Sequence, residues 1–334
     1  MPVKSSGQLS FSEIVAEFAD TAPHSMSEFY RGGGKIPTNN TNVPNGGAIS
    51  FSNFYNAVNR ITAYITYSSN QQQITVNPTT ASGYVAGVTD VIITVNSGVY
   101  IWSDSTSIPA LTISGGSVGD TVTLVNNGFI IGKGGNGGTR NDITGKVGGP
   151  AISIFRNINV TNNSFIAGGG GGGAGGSGGG GGGAGGGSGG ESQFGPFIGP
   201  ANGGAGGGLG ATGANGQDTV GITGGGGGGA GGGGGAEVLV FFPQGTGPAF
   251  SGGGGGGRIL PGAGGAGGTG TFDARPGGAG GSGGSAGGLR AGGGWGASGG
   301  ANGSPAGGAG GRAINLNGNS VTYITTGTIY GAVS

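Results

Sequence analysis

The sequence has no cysteine and a single histidine, which excludes disulfide staples and thiolate zinc sites. Charge is scarce as well: Asp, Glu, Lys and Arg make up 7% of the chain, and 12 residues of each sign cancel. Nothing in that balance steers the chain toward nucleic acid or an acidic membrane surface. No window is apolar enough to span a bilayer, and the opening MPVKSSGQLSFSEIV lacks the unbroken apolar core of a signal peptide. Proline, at 14 residues, falls far below a collagen share. What the chain has instead is glycine, 98 of 334 residues. Disordered chains are usually charge-rich, so an uncharged, glycine-built protein is the expectation.

Glycine is concentrated, with 74 of the 98 between positions 168 and 312. The shift divides the chain into residues 1–60, 61–167, 168–312 and 313–334. In the first segment a motif recurs around Ser10-Phe11-Ser12, Ser25-Met26-Ser27 and Ser50-Phe51-Ser52. Ser10 with Glu13, and Ser25 with Glu28, have capping-box spacing, so each predicts a short helix. Phe11, Ile14, Val15 and Phe18 share one helical face, as do Phe51, Phe54, Tyr55 and Val58. The segment is too small for a large core and reads as a docking module, with Phe11, Phe29, Tyr30, Phe51, Phe54 and Tyr55 as candidate contacts.

Residues 61–167 switch to strand patterning, with β-branched runs at 61–67, 91–95 and 121–125. Asn126-Asn127-Gly128-Phe129-Ile130-Ile131-Gly132 matches Asn162-Asn163-Ser164-Phe165-Ile166-Ala167-Gly168. A repeated strand and turn suggests stacked coils of a solenoid, though a β-sandwich gives similar strands.

Within the glycine runs the other residues are small and fall three apart: Asn202 and Ala205; Ala263, Ala266 and Thr269; Ala279, Ser282 and Ser285; Ala306, Ala309 and Arg312. That period fits neither α-helix nor strand but an extended left-handed helix of three residues per turn. Such helices lack internal hydrogen bonds, so the runs must pack against one another. The overall expectation is mostly β and irregular: a small helical N-terminal module, a β-rich middle, and a C-terminal sandwich of polyglycine II helices with interrupting loops. The interruptions at 191–200, 217–223, 237–244, 258–261, 271–276 and 289–295 carry most of the segment's aromatic and charged residues. Aromatic-rich loops on featureless rods make a recognition surface.

The runs at 168–190 and 224–235, the aromatic interruptions and the end NSVTYITTGTIYGAVS resemble the glycine-rich tail-fibre adhesins of T-even-like tailed bacteriophages. The resemblance implies packed polyglycine II helices whose variable tip loops bind a bacterial surface receptor, either an outer-membrane protein or lipopolysaccharide. It also implies a virion tail location, with the chain made in the host cytoplasm. The N-terminal segment departs from that family's pattern, so a long fibre, a short fibre or a baseplate or tail-tip protein all remain as docking partners. Because the loops are the family's variable part, receptor candidates come from composition: Phe194, Phe197, Ile198, Asp218, Val240, Phe241, Phe242, Gln244, Phe250, Arg258, Phe272, Arg275, Arg290 and Trp295. Neighbouring Gly, Pro and polar residues favour exposure of Phe194, Phe197, Phe272 and Trp295. Phe241 and Phe242 fit a plug at the array's edge equally well. The arginines suit acidic loops or lipopolysaccharide phosphates, or serve solubility alone.

Catalysis is not expected. A Ser-His-Asp triad would depend on His24, and in Gly32-Gly33-Gly34-Lys35-Ile36 an isoleucine stands where a phosphate loop needs Ser or Thr. No cofactor or metal is implied. Two other classes compete: an ice-binding or purely structural glycine protein, and a tail-assembly chaperone absent from finished virions.

Overall fold

The computed structural model describes residues 3–139, 141–175, 179–182, 192–194, 198–218, 224–235, 237–242, 245–269 and 276–334. The chain forms two compact units. The first comprises Met1–Ile65, Asn77–Ile93 and Gly115–Thr123, and the second Thr66–Val76, Thr94–Ser114 and Leu124–Ser334.

Three Ser-X-Ser caps organise the N-terminal part of the first unit. In each, the two serine hydroxyls hydrogen-bond, at 2.9 Å in Ser10/Ser12, 2.7 Å in Ser25/Ser27 and 2.8 Å in Ser50/Ser52. Ser10 caps helix α1 (Phe11–Glu17) in a capping box, and the Ser10 N–H donates to the Glu13 carboxylate at 2.7 Å. Ser50 forms the same box with Asn53, an amide standing where the other two repeats have Glu13 and Glu28. The second and third caps open only four-residue 3₁₀ turns, Met26–Phe29 and Phe51–Phe54. The expected helical face through Val58 is therefore corrected. Tyr55 is extended and Asn56 left-handed at φ 59°, and one turn of helix does not propagate without further hydrogen bonds.

The turns point Ile14, Phe18, Phe29, Ile36, Val43 and Phe54 into one core. Phe29 sits at its centre, 5.6 Å from the Phe11 ring and 6.3 Å from those of Phe18 and Phe54. In the same unit the buried Asp120 carboxylate accepts from the Tyr84 hydroxyl at 2.5 Å, Ser117 N–H at 2.7 Å and Gly87 N–H at 2.8 Å. Nearby, the Arg60 guanidinium donates to Asp90 at 2.7 Å.

The strands follow in coils of three. The first coil is β1 (Ile61–Tyr67), β2 (Gln71–Gln72) and β3 (Ile74–Val76). The second is β4 (Thr89–Val95), β5 (Tyr100–Trp102) and β6 (Leu111–Ile113), and the third β7 (Thr121–Asn126), β8 (Phe129–Ile131) and β9 (Ile152–Ile154). Two strands of the fourth, β10 (Ile158–Asn162) and β11 (Phe165–Ala167), precede the glycine-rich stretch. Within that stretch lie β12 (Ser192–Phe194), β13 (Ile198–Ala201), β14 (Glu237–Phe242) and β15 (Gly245–Phe250). Only after it does the fourth coil finish with β16 (Ile314–Asn315), followed by β17 (Val321–Thr325) and β18 (Thr328–Tyr330).

With β12–β15 of the glycine-rich stretch set aside, every third strand is a neighbour: the sheets run β1-β4-β7-β10-β17, β2-β5-β8-β11-β18 and β3-β6-β9-β16. The described pairings of the coils are parallel, which selects a solenoid over a sandwich of antiparallel sheets. The matched Asn-rich repeats are successive coils, as their amides confirm: Asn126 donates to Asn162 at 2.8 Å and Asn163 to Asn127 at 2.8 Å. Inside, Ile101, Ile130 and Ile166 are fully buried. On the opposite face of the same sheet Tyr100, Phe129, Phe165 and Tyr330 form a ladder with centroid spacings of 4.5, 5.9 and 6.2 Å. The C-terminal strands β17 and β18 pair with β10 and β11, so they continue the coils.

The glycine-rich stretch is thus an insertion between two strands of one coil. Its backbone groups bond across to neighbouring segments at every third residue. Gly170 and Gly173 accept from Gly135 and Gly138 of the connection between β8 and β9 at 2.8 and 2.9 Å, and Gly204, Gly207 and Gly210 donate to Gly253, Gly256 and Arg258 at 2.8 to 3.0 Å. The same period sorts exposure. Ala205, Ala263, Ala266, Thr269, Ala279, Ser282, Ala306 and Ala309 face solvent, while Gly204, Gly207, Gly265 and Gly268 are buried.

Candidate functional site

The segments of the insertion run back and forth between two ends. At one end the turns carry Leu209, Ala230, Leu260 and Trp295. All four pack with Ile131 and Ala167 and beside Tyr100, Trp102, Phe129 and Tyr330, the outer face of the aromatic ladder. Trp295 is fully buried, and its indole N–H donates to the carbonyls of Ile259 and Pro261, both at 3.1 Å. Beside it the Arg258 guanidinium pairs with Asp104 from the loop after β5. Partial burial works against the Asp104 carboxylate, but Arg258 overrides it and holds the carboxyl below its ordinary range. Lys133 shares the cluster, and burial together with the Arg258 charge pushes its ammonium pKa down.

The expectation that Trp295 is exposed is therefore corrected. An indole filling an apolar socket, with its one donor satisfied, is an anchor. Arg258, 6% exposed, belongs to the same anchoring end. The signal was present in the sequence: the short turns around Leu209, Ala230 and Leu260 fall between the long interruptions at 191–200, 217–223, 237–244 and 271–276.

At the other end the flanks of the long interruptions are tied together. Gln217 N–H donates to the Asn202 carbonyl at 2.9 Å, Gly252 N–H to Gln217 at 3.0 Å and Gly225 N–H to Gly252 at 2.9 Å. Those rungs join the bases of three loops. Asp218 is exposed there, and its carboxylate accepts from Gly224 N–H at 2.7 Å. Phe194 and Ile198 lie on the antiparallel pair β12–β13, where they are register partners. Val240, Phe241 and Phe242 lie on β14 and Phe250 ends β15; these two strands form a six-pair antiparallel hairpin, and β12 lies beside β15. Arg290 is at a tight turn of this end, left-handed at φ 61° and 3% exposed, so its neighbour Leu289, at 45%, offers the accessible surface. Phe197, Gln244, Phe272 and Arg275 lie outside the described residues.

The docking candidates divide as sharply. Phe29 and Phe54 are fully buried and hold the first unit's core, which removes them from any contact surface. Phe11, Tyr30 and Tyr55 are half-buried, and Phe51 is 44% exposed. The Tyr30 hydroxyl donates to the Gly47 carbonyl at 2.5 Å, and that of Tyr55 to Gly7. His24 is not poised over a serine. Its Nδ1 lies 2.8 Å from the Asp20 carboxylate, which Lys35 also reaches. Among the described residues no three His, Asp or Glu side chains converge to hold a metal.

Residues 61–226 match the family model described as phage tail fibre adhesin Gp38. This span belongs to the phage tail fibre adhesin family. The match begins at the first residue of β1 and ends within the glycine array, so it takes in the adhesin's first eleven solenoid strands and the start of its array. No curated protein matches the chain. Among solved structures, the gp37-gp38 adhesin tip complex of the bacteriophage S16 long tail fibre is similar, at 21% identity and a TM-score of 0.44, over 99% of this chain and 100% of that one.

Proposed function

We propose that this adhesin recognises a bacterial surface receptor, an outer-membrane protein or lipopolysaccharide, through the loop-bearing end of its glycine array. The observation that carries the reading is the sorting of interruptions. Short apolar turns anchor one end on the aromatic ladder, while the flanks of the long interruptions, among them the aromatic-bearing 191–200 and 237–244, gather at the other. A frame built mostly of glycine, with small residues such as Ala205, Ala263, Ala266 and Thr269 on its exposed positions, encodes little side-chain information, so loops can vary without disturbing it. The three-residue rhythm of hydrogen bonds and exposure supports packed polyglycine II helices as that frame.

Residues 1–60 dock the chain to the tail, with Phe51 and the half-buried Phe11, Tyr30 and Tyr55 as contacts. Residues 61–167 form the shoulder, 168–312 the recognition array and 313–334 the closing strands. The partner is a tail fibre or tail-tip protein, and the protein resides in the virion tail. Recognition is non-covalent and reversible, with no catalytic step.

The test is binding of fluorescently labelled protein to a panel of Gram-negative strains, beside a variant with residues 237–250 replaced by Gly/Ser. Strain-selective binding that the variant loses supports the reading. Selective binding that survives the replacement places the receptor site elsewhere.

A further inference from the structure

How the loop-bearing end grips its target follows from the register of one hairpin; the inference rests on the adhesin reading above. β14 and β15 pair from Glu237↔Phe250 to Phe242↔Gly245, with two residues between the strands. The pair flanking a two-residue connection exchanges both main-chain hydrogen bonds. Bonded pairs then alternate, so 242/245, 240/247 and 238/249 face each other, while 241/246, 239/248 and 237/250 turn their N–H and C=O groups outward. Pro248, opposite Leu239, agrees: lacking an N–H, it fits only an outward-facing position.

The hairpin's two edges are therefore unequal. β15 turns outward Thr246, Pro248 and Phe250, with a donor missing at the centre. β14 turns outward Glu237, Leu239 and Phe241, an unbroken row of donors and acceptors. Among the described residues no strand pairs with β14 on that side. Proteins usually blunt such an edge with proline or lysine. Here one edge has its proline and the other has neither.

We propose that the β14 edge captures the receptor by strand addition: an extended polypeptide segment at the cell surface pairs with the main chain of Glu237, Leu239 and Phe241. Main-chain pairing supplies affinity in this mode, so it tolerates side-chain change. A glycan carries no alternating amide donors and acceptors at the two-residue strand repeat of roughly 6.8 Å.

The test uses the labelled full-length protein on a strain that wild type binds, with Leu239→Ala, Leu239→Pro and Glu237→Pro. Proline at either position deletes an outward N–H and no ladder bond, so melting stays at the wild-type temperature. Should Leu239→Pro melt lower, Glu237→Pro, at the hairpin's base, decides. The expected result is Leu239→Ala within threefold of wild-type binding and both proline variants at least tenfold weaker. Proline variants that bind like wild type overturn strand addition. So does a Leu239→Ala loss equal to that of Leu239→Pro, which marks a side-chain site, or binding abolished by periodate but not by protease treatment of the cells, which marks a glycan. If wild type binds no strain, the adhesin reading fails and this proposal with it.

Discussion

Gly171 and Gly208 are chemically identical and occupy the same array, yet alanine should act on them in opposite directions. Gly171 is buried, its N–H donates to Ala297 at 2.8 Å, and a Cβ built on it falls inside the van der Waals envelope of the Gly308 carbonyl. The obstruction is backbone of a neighbouring segment, itself held by rungs on other sides, so it cannot rotate away. Overpacking of this kind costs about 1–3 kcal/mol, and a rigid backbone neighbour puts the value near the upper end. The lower entropy of the unfolded alanine chain returns only about 0.4–1 kcal/mol. The net is a loss of about 2 kcal/mol. Gly208 extends the exposed row of Asn202 and Ala205, and a Cβ there meets nothing. Only the entropy effect remains, a gain of about 0.4–1 kcal/mol. For a unit of this size a kilocalorie moves the melting temperature by about 2–4 °C. Scanning calorimetry of the full chain should then show Gly171→Ala melting about 4–8 °C below wild type and Gly208→Ala about 1–4 °C above it. Equal shifts, or a neutral Gly171→Ala, would refute the claim that the three-residue register decides where a side chain is admitted.

Trp295→Ala should cost about 3–5 kcal/mol by emptying the socket between the array and the aromatic ladder, read as a drop in thermal stability. Phe29→Ala should cost a similar amount, whereas Phe51→Ala should leave folding within about 1 kcal/mol and reduce incorporation into particles, read by blotting purified virions. Asp20, held by Lys35 and His24, has its pKa lowered from 3.8 to about 2. A lowered folded-state value means the unfolded chain takes up the proton first. The stabilisation is therefore complete above pH 3.8 and lost as pH falls toward 2. Asp20→Asn should lower stability at neutral pH and flatten its dependence across that window; an unchanged acid profile would show the pair contributes nothing.

The sequence alone settled what local chemistry decides. Ser10 and Glu13 announced α1 because a capping box is a contact between residues three apart. The runs at 61–67 and 121–125 announced strands, and Asn126 and Asn162 announced repetition, because amides in successive coils must meet to be satisfied. Ala263, Ala266 and Thr269 announced the three-residue period, since at inward positions such as Gly171 and Gly265 a side chain would strike a neighbouring carbonyl. Tertiary structure alone decided the rest. Phe29 and Phe51 occupy similar repeats, yet one fills the core and the other meets solvent, because burial depends on which segment lands on each ring. Trp295 looked like a receptor contact while its neighbours were glycines, and it became an anchor once the chain had carried it onto Ile131 and Ala167, well over a hundred residues away in sequence. That the whole array interrupts a single coil, between β11 and β16, is likewise fixed by parallel pairing across the insertion, a contact between residues whose local sequences say nothing of each other.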